Sequence, residues 1–156
     1  MPLALAGLLV LSVVVVLSTS WEPKYHREDW RGVARALGPP RVGRAIVMTP
    51  AYSQVPLAAY MPGTREMPPT GARMREVVLL GVARDDPGSL APPSVPRAAP
   101  RSPAPAAGLR PVEIRREALF TLVRYRAAHP VRLAVDALEA KGLGGTEARV
   151  MVQPRR

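Results

Sequence analysis

The sequence predicts an α/β protein: one N-terminal transmembrane helix, then a small mixed-sheet soluble domain interrupted by a proline-rich disordered insertion. Three observations predict it. An uncharged apolar run opens the chain, short β-branched runs recur at 44–49, 75–82 and 149–153, and eight of the 19 prolines lie between Pro87 and Pro111. The divisions that follow are a transmembrane helix over 1–21, a first part of the soluble domain over 22–86, a linker over 87–108 and the remainder over 109–156.

The opening run from Leu3 to Leu17 has no charge, and the first charged side chain is Glu22. As a helix, Met1 to Trp21 would span roughly 30 Å at about 1.5 Å per residue, the thickness of a bilayer's hydrocarbon core. Trp21 and Tyr25 follow where interfacial aromatics belong, beside Lys24, His26 and Arg27. A cleaved secretory signal fits less well, because Met1 to Gly7 contains no Lys or Arg and no Ala-x-Ala site follows. An apolar helix with no polar leader reads as the last membrane helix of a longer chain, and it places the protein at the cell membrane.

Composition narrows the chemistry. There is no cysteine, which excludes a disulfide framework, a thiolate nucleophile and a zinc–thiolate site. The net charge of +10 comes almost entirely from arginine, in a background rich in Pro, Ala, Gly and Val. That bias reads as GC-rich coding, so the basic pI is no argument for nucleic acid. Basic side chains interleaved with stacking aromatics are also missing, since Phe, Trp and Tyr together number seven.

Each element of the soluble part has its own signal. Tyr25 to Leu37 carries Trp30, Val33, Ala34 and Leu37 at i, i+3, i+4 and i+7, one apolar stripe of an amphipathic helix. Glu28 and Asp29 fall in its first turn, Gly38 follows it and Pro39-Pro40 forbids continuation. The arginines at 27, 31 and 35 share its outer face, as a solvated surface or as a contact for lipid phosphates. Arg44 to Thr49 reads as a buried strand and Ala51 to Met61 as a short helix made irregular by Pro56. Pro62 to Arg73 reads as an irregular loop, and Arg75 to Val82 as a second fully apolar strand, completing a βαβ pattern. From Pro87 the chain lacks large apolar side chains and reads as an extended linker with nothing to pack. Two strands then meet near Ala118 as an antiparallel pair. Val131 to Leu133 reads as a brief extended piece, Ala134 to Lys141 as a short helix, and Arg149 to Gln153 as a last strand.

No catalytic or metal-binding motif emerges. His26 and His129 are isolated, and Gly142-Leu-Gly-Gly145 follows a helix where a phosphate loop would precede one. Asp85-Asp86 is the one adjacent acidic pair, in a position that suits a turn better than a metal or an acid–base pair. No catalytic residue, metal or cofactor is expected.

The apolar helix followed by Arg27-Glu-Asp-Trp-Arg31, then Val33-Ala34 and Leu37, resembles the junction of membrane and soluble parts in bacterial GT-C type integral-membrane glycosyltransferases. These are similar to dolichyl-phosphate-mannose protein mannosyltransferases, the family 39 type. The likeness continues through the strand Ala45 to Thr49, the segment Pro56-Leu-Ala-Ala-Tyr60, the strand Arg75 to Val82 and the hairpin segment Phe120-Thr-Leu-Val-Arg-Tyr125. The resemblance implies the C-terminal extracytoplasmic domain of an enzyme that transfers a sugar from a polyprenyl-phosphate donor, with the catalytic acid in a missing N-terminal part. Its implied partners are the bilayer, the donor lipid and the missing transmembrane helices of the same enzyme. Arg27, Arg31, Tyr52 and Tyr60 are the candidate contacts to the donor phosphate, through arginine forks and phenolic hydroxyls. Lys24, Arg27 and Arg31 would by themselves favour a cytoplasmic side, an orientation that preceding helices can override. A single-pass, membrane-anchored binding or assembly module is the alternative.

Overall fold

Arg44–Thr49 (β1) is buried at every position, which requires cover on both faces of the sheet that it enters. The computed structural model describes residues 10–14, 29–83, 94–96, 104–145 and 147–155. Within them, Trp30–Leu37 (α1) precedes β1, and a 3₁₀ turn at Ala51–Ser53 and the helix Gln54–Tyr60 (α2) follow it. The strands Arg65–Glu66 (β2), Ala72–Val82 (β3), Arg110–Arg116 (β4) and Phe120–Leu133 (β5) come next. The helix Val135–Glu139 (α3), a 3₁₀ turn at Leu143–Gly145 and the strand Arg149–Gln153 (β6) complete the order.

The six strands form one mixed sheet in the order β2-β6-β1-β3-β5-β4. β1 pairs in parallel with β3, Ile46 opposite Val78 and Val47 opposite Leu79, as the βαβ pattern predicts. On its other side β1 runs antiparallel to β6. The expected hairpin is β4 and β5, whose β5 then lies antiparallel along β3.

Alternation along the strands divides the core between two faces. Val47, Val77, Leu79, Val123, Tyr125 and Val150 look one way, and Leu138 of α3 and Leu143 pack with them. Ile46, Met48, Val78, Leu80, Leu122 and Met151 look the other way, under Trp30, Val33 and Leu37 of α1 and Leu57 of α2. Of the anticipated helix stripe Trp30, Val33 and Leu37 are buried and Ala34 is half-buried, and Ile46, Val47, Val78, Leu79, Leu80, Phe120, Leu122, Val150 and Val152 of the strands are buried. Each such aliphatic contributes about 1.5–3 kcal/mol against an exposed position.

Several boundaries differ from expectation. Residues 62–73 are not all loop, because β2 pairs with β6 there and β3 begins at Ala72. Gly71 makes that entry possible: its φ is +75°, and a Cβ would collide with the carbonyl of Leu133 where β5 ends. Val131 to Leu133 is not a separate piece but the end of the 14-residue β5. The predicted irregular helix resolves into a 3₁₀ turn and α2, in which Pro56 occupies the first turn, where a missing N–H breaks no helical bond. The segment expected to pack nothing does pack at two points: Pro105 is buried, and a Cβ added at Gly81 would come within 2.9 Å of Pro96 Cβ.

The transmembrane expectation over 1–21 falls mostly outside the described residues. Among the described residues no helix is long and apolar enough to cross a membrane. Residues 10–14 are helical, and Val10, Leu11, Val13 and Val14 are each more than half exposed.

Candidate functional site

The three anticipated donor contacts among the described residues come from three different elements. Arg27 lies outside the described residues. Arg31 is exposed on the outer face of α1, where its carbonyl accepts a bond from Arg35 Nε at 3.4 Å. Tyr52 is 53% exposed in the turn after β1 and Tyr60 is 47% exposed at the end of α2. Of the four, Tyr60 lines a cleft of about 490 Å³, with Arg35, Pro39, Pro40, Met61 and Gln153. The arginine of α1 that reaches this cleft is thus Arg35, one turn beyond Arg31.

A second cleft of about 380 Å³ adjoins it across Gly38 and Pro39, and among the described residues the largest buried network of charged side chains lies here. Its origin is the end of α1. A helix leaves its last four carbonyls without intrahelical partners, and they carry the negative end of the dipole. Gly38, at φ +60°, turns the chain and its N–H satisfies Ala34 O at 3.0 Å. The carbonyls of Ala36, Leu37 and Gly38 are taken by buried arginines. Arg124 Nη2 donates to Ala36 O at 2.9 Å, Arg44 Nη1 to Leu37 O at 2.6 Å and Arg44 Nη2 to Gly38 O at 2.7 Å.

Strand register sets Arg44 beside Glu76, and Arg124 stands on β5 two residues before Arg126, the partner of Glu76, and so on the same face. Gln153, Arg44, Glu76, Arg126 and Arg110 are successive partners across β6, β1, β3, β5 and β4. The Glu76 carboxylate sits at the centre of this row. Its Oε1 accepts from Arg124 Nη1 at 2.7 Å and lies 3.6 Å from Arg44 Nη1, and its Oε2 accepts from Arg126 Nη2 at 2.8 Å. Glu113 Oε2 accepts from Arg124 Nε at 2.8 Å, and Gln153 Oε1 from Arg44 Nε at 3.0 Å.

Arg44 is fully buried and Glu76 nearly so. Removing an ion from water costs several kcal/mol even after relaxation, so such charges survive only when they are paired and hydrogen-bonded. Burial pushes the Arg44 guanidinium down to about 10; Glu76 opposes that shift and Arg124 adds to it. It remains charged at neutral pH. Arg44, Arg124 and Arg126 outnumber Glu76 and Glu113 by one, Glu113 also lies 3.4 Å from the exposed Arg115, and the half-exposed Arg126 stands at the cleft mouth. Arg41 and Val112 complete the lining.

Sequence reasoning missed this network because 20 scattered arginines look alike in a linear string. Two signals were present. Glu76 immediately precedes the apolar run from Val77 to Leu80 in a strand that reads as buried, and Arg124 stands between Val123 and Tyr125 in another.

At the opposite, carboxyl end of β1 the hydroxyls of Thr49 and Ser53 are buried without a hydrogen-bond partner among the described residues. Gly142 leaves room for Thr49 there, since a Cβ would stand 2.8 Å from Thr49 Oγ1. No group of three His, Asp or Glu side chains is placed to hold a metal among the described residues. His129 is exposed on β5, while His26 and Asp85-Asp86 lie outside the described residues. No family model, no curated protein and no solved structure matches the chain.

Proposed function

We propose that this domain is the extracytoplasmic C-terminal part of an integral-membrane glycosyltransferase of the GT-C type, using a polyprenyl-phosphate sugar as donor. The observation that carries the reading is the convergence of two segments of the resemblance on one cleft. Arg35 comes from the α1 segment and Tyr60 from Pro56-Leu-Ala-Ala-Tyr60, and both line the same 490 Å³ hollow. A guanidinium and a phenol fit a phosphate and its attached sugar by bidentate and single hydrogen bonds. Membrane attachment is supported by the apolar opening sequence and by Val10, Leu11, Val13 and Val14, exposed on most sides of one helical turn. Such side chains suit lipid better than water.

The test uses the complete reading frame in membranes supplied with a polyprenyl-phosphate sugar. Arg35→Ala and Tyr60→Phe are expected to lower transfer at unchanged expression, and Arg31→Ala to lower it less. Unaltered rate and donor affinity in all three would leave a membrane-anchored assembly module. Release of the chain from membranes by alkaline carbonate would overturn both readings.

A further inference from the structure

α1 covers only part of its face of the sheet. Beyond Gly38, β3 and β5 continue as a two-stranded arm with β4 beside its base. On the inner face of this arm Ala72, Met74, Val131 and Leu133 pack into the core that α3 covers. The alternate positions, Arg73 and Arg132, therefore lie on the face that α1 leaves open.

Register places these arginines directly against each other. Arg73 is the cross-strand partner of Arg132, and Arg110 is the partner of Arg126. All four are exposed. Arg73 and Arg132 spend one nitrogen each on the carbonyls of Pro130 and Thr70, at 3.5 and 3.3 Å. Arg126 alone has a carboxylate, Glu76; among the described residues Arg73, Arg132 and Arg110 have none within ion-pair distance. Like charges directly opposite on antiparallel strands are destabilising, and two such rungs recur on one face. Along β5 the rungs are six residues apart, at most about 20 Å at extended-strand rise.

We propose that this strip binds a linear polyanion, a chain of phosphate groups that spans both rungs and cancels the repulsion. Arginine forks pair with phosphate oxygens bidentately, and a strip of this length takes several phosphates in succession. Among the described residues β3, β4 and β5 carry two Phe, Tyr or Trp side chains, Phe120 and Tyr125, and both are buried, so a polymer of bare phosphates suits the strip better than a nucleic acid. The site is separate from the Arg35–Tyr60 cleft, and either proposal can fail without the other.

The experiment is a fluorescence-anisotropy titration of the full chain, in non-ionic detergent, against labelled linear inorganic polyphosphate. Arg73→Gln with Arg132→Gln should weaken binding tenfold or more at low salt and reduce the slope of log K against log salt by about 2, one per lost phosphate contact. The thermal midpoint of that variant should hold or rise, because a repulsion is removed. Arg115→Gln with Arg116→Gln, the same change of charge at the far end of β4, should leave affinity within about twofold, the expectation when attraction is local and not a matter of net charge. Four results would each overturn the proposal: no binding, equal loss in both double variants, a fall in the midpoint of the first, or tenfold tighter binding of an oligonucleotide of equal charge. Arginine-dependent binding to phosphatidylglycerol vesicles without binding to polyphosphate would assign the strip to a bilayer instead.

Discussion

The face of the sheet beneath α1 has two halves that are held by different physics. Toward the carboxyl end of β1, Ile46, Met48, Val78, Leu80 and Leu122 meet Trp30 and Val33 in an apolar contact. Toward its amino end the same alternation delivers Arg44, Glu76 and Arg124, which meet the end of α1 through hydrogen bonds. One helix thus rests on oil at one end and on ions at the other. The difference follows from the helix itself. Its flank is apolar and asks only for area, whereas its C-terminus presents carbonyls that must find donors once they are buried. Arginine meets that demand with five N–H groups in a rigid fork, and it brings positive charge to the negative end of the dipole.

The largest effect is expected from the ionic half. Glu76→Gln removes the one carboxylate shared by three arginines and leaves Arg44 buried with no anion in contact. Loss of one partner of a buried pair costs about 3–5 kcal/mol, and Glu76 should lie toward the top of that range. Urea unfolding of the full chain measures it. Replacing Arg44, Glu76 and Arg124 together by Met, Leu and Met should cost less than the single change, because the charges that lose a partner, Arg126 and Glu113, are partly exposed and can be solvated. If the triple variant is the weaker one, capping of the α1 carbonyls and not charge compensation dominates this half.

In the apolar half, Trp30→Ala should cost about 3 kcal/mol, at the low end for truncation of a buried aromatic, because the ring is 6% exposed and lies at the first turn of the helix. A thermal melt with an unchanged midpoint would show that α1 is held by its ionic end alone. A smaller loss, about 1–3 kcal/mol, is expected for Gln153→Ala, which leaves Arg44 Nε without an acceptor and Nη2 with Gly38 O alone. An effect below about 0.5 kcal/mol would mean that water replaces the amide at no cost to Arg44, which is hard to reconcile with its full burial.

The apolar half was legible in the sequence and the ionic half was not, for a physical reason. The stripe Trp30, Val33, Leu37 and the runs at 44–49 and 75–82 are repetitive signals, and burial follows from the repetition. Parallel pairing of β1 with β3 followed from the helix between them. An ion network has no period. It depends on register across five strands, which places Gln153 beside Arg44 although they are 109 positions apart. Tyr60 stands out in the sequence within Pro56-Leu-Ala-Ala-Tyr60, but its place beside Arg35 in one cleft depends on how α1 and α2 pack, and neither helix alone encodes that.

The smallest effect lies at the N-terminus of α1, where the oily end of the helix meets its own orphan donors. Asp29 Oδ1 accepts from Gly32 N at 2.8 Å, so Asp29→Ala should cost about 1 kcal/mol. Gly32 makes this cap possible: a Cβ there would stand 2.6 Å from Asp29 Cγ and push the carboxylate off. Gly32→Ala should therefore change stability by less than about 0.5 kcal/mol, because the gain of about 0.8–1.0 kcal/mol in helix propensity is offset by the lost cap. In the Asp29→Ala background no cap remains to lose, and the same substitution should stabilise by its full propensity gain. The double-mutant cycle should show a coupling of about 1 kcal/mol. Additive behaviour would mean that the carboxylate can move aside and still cap, and that the glycine at position 32 is there for another reason.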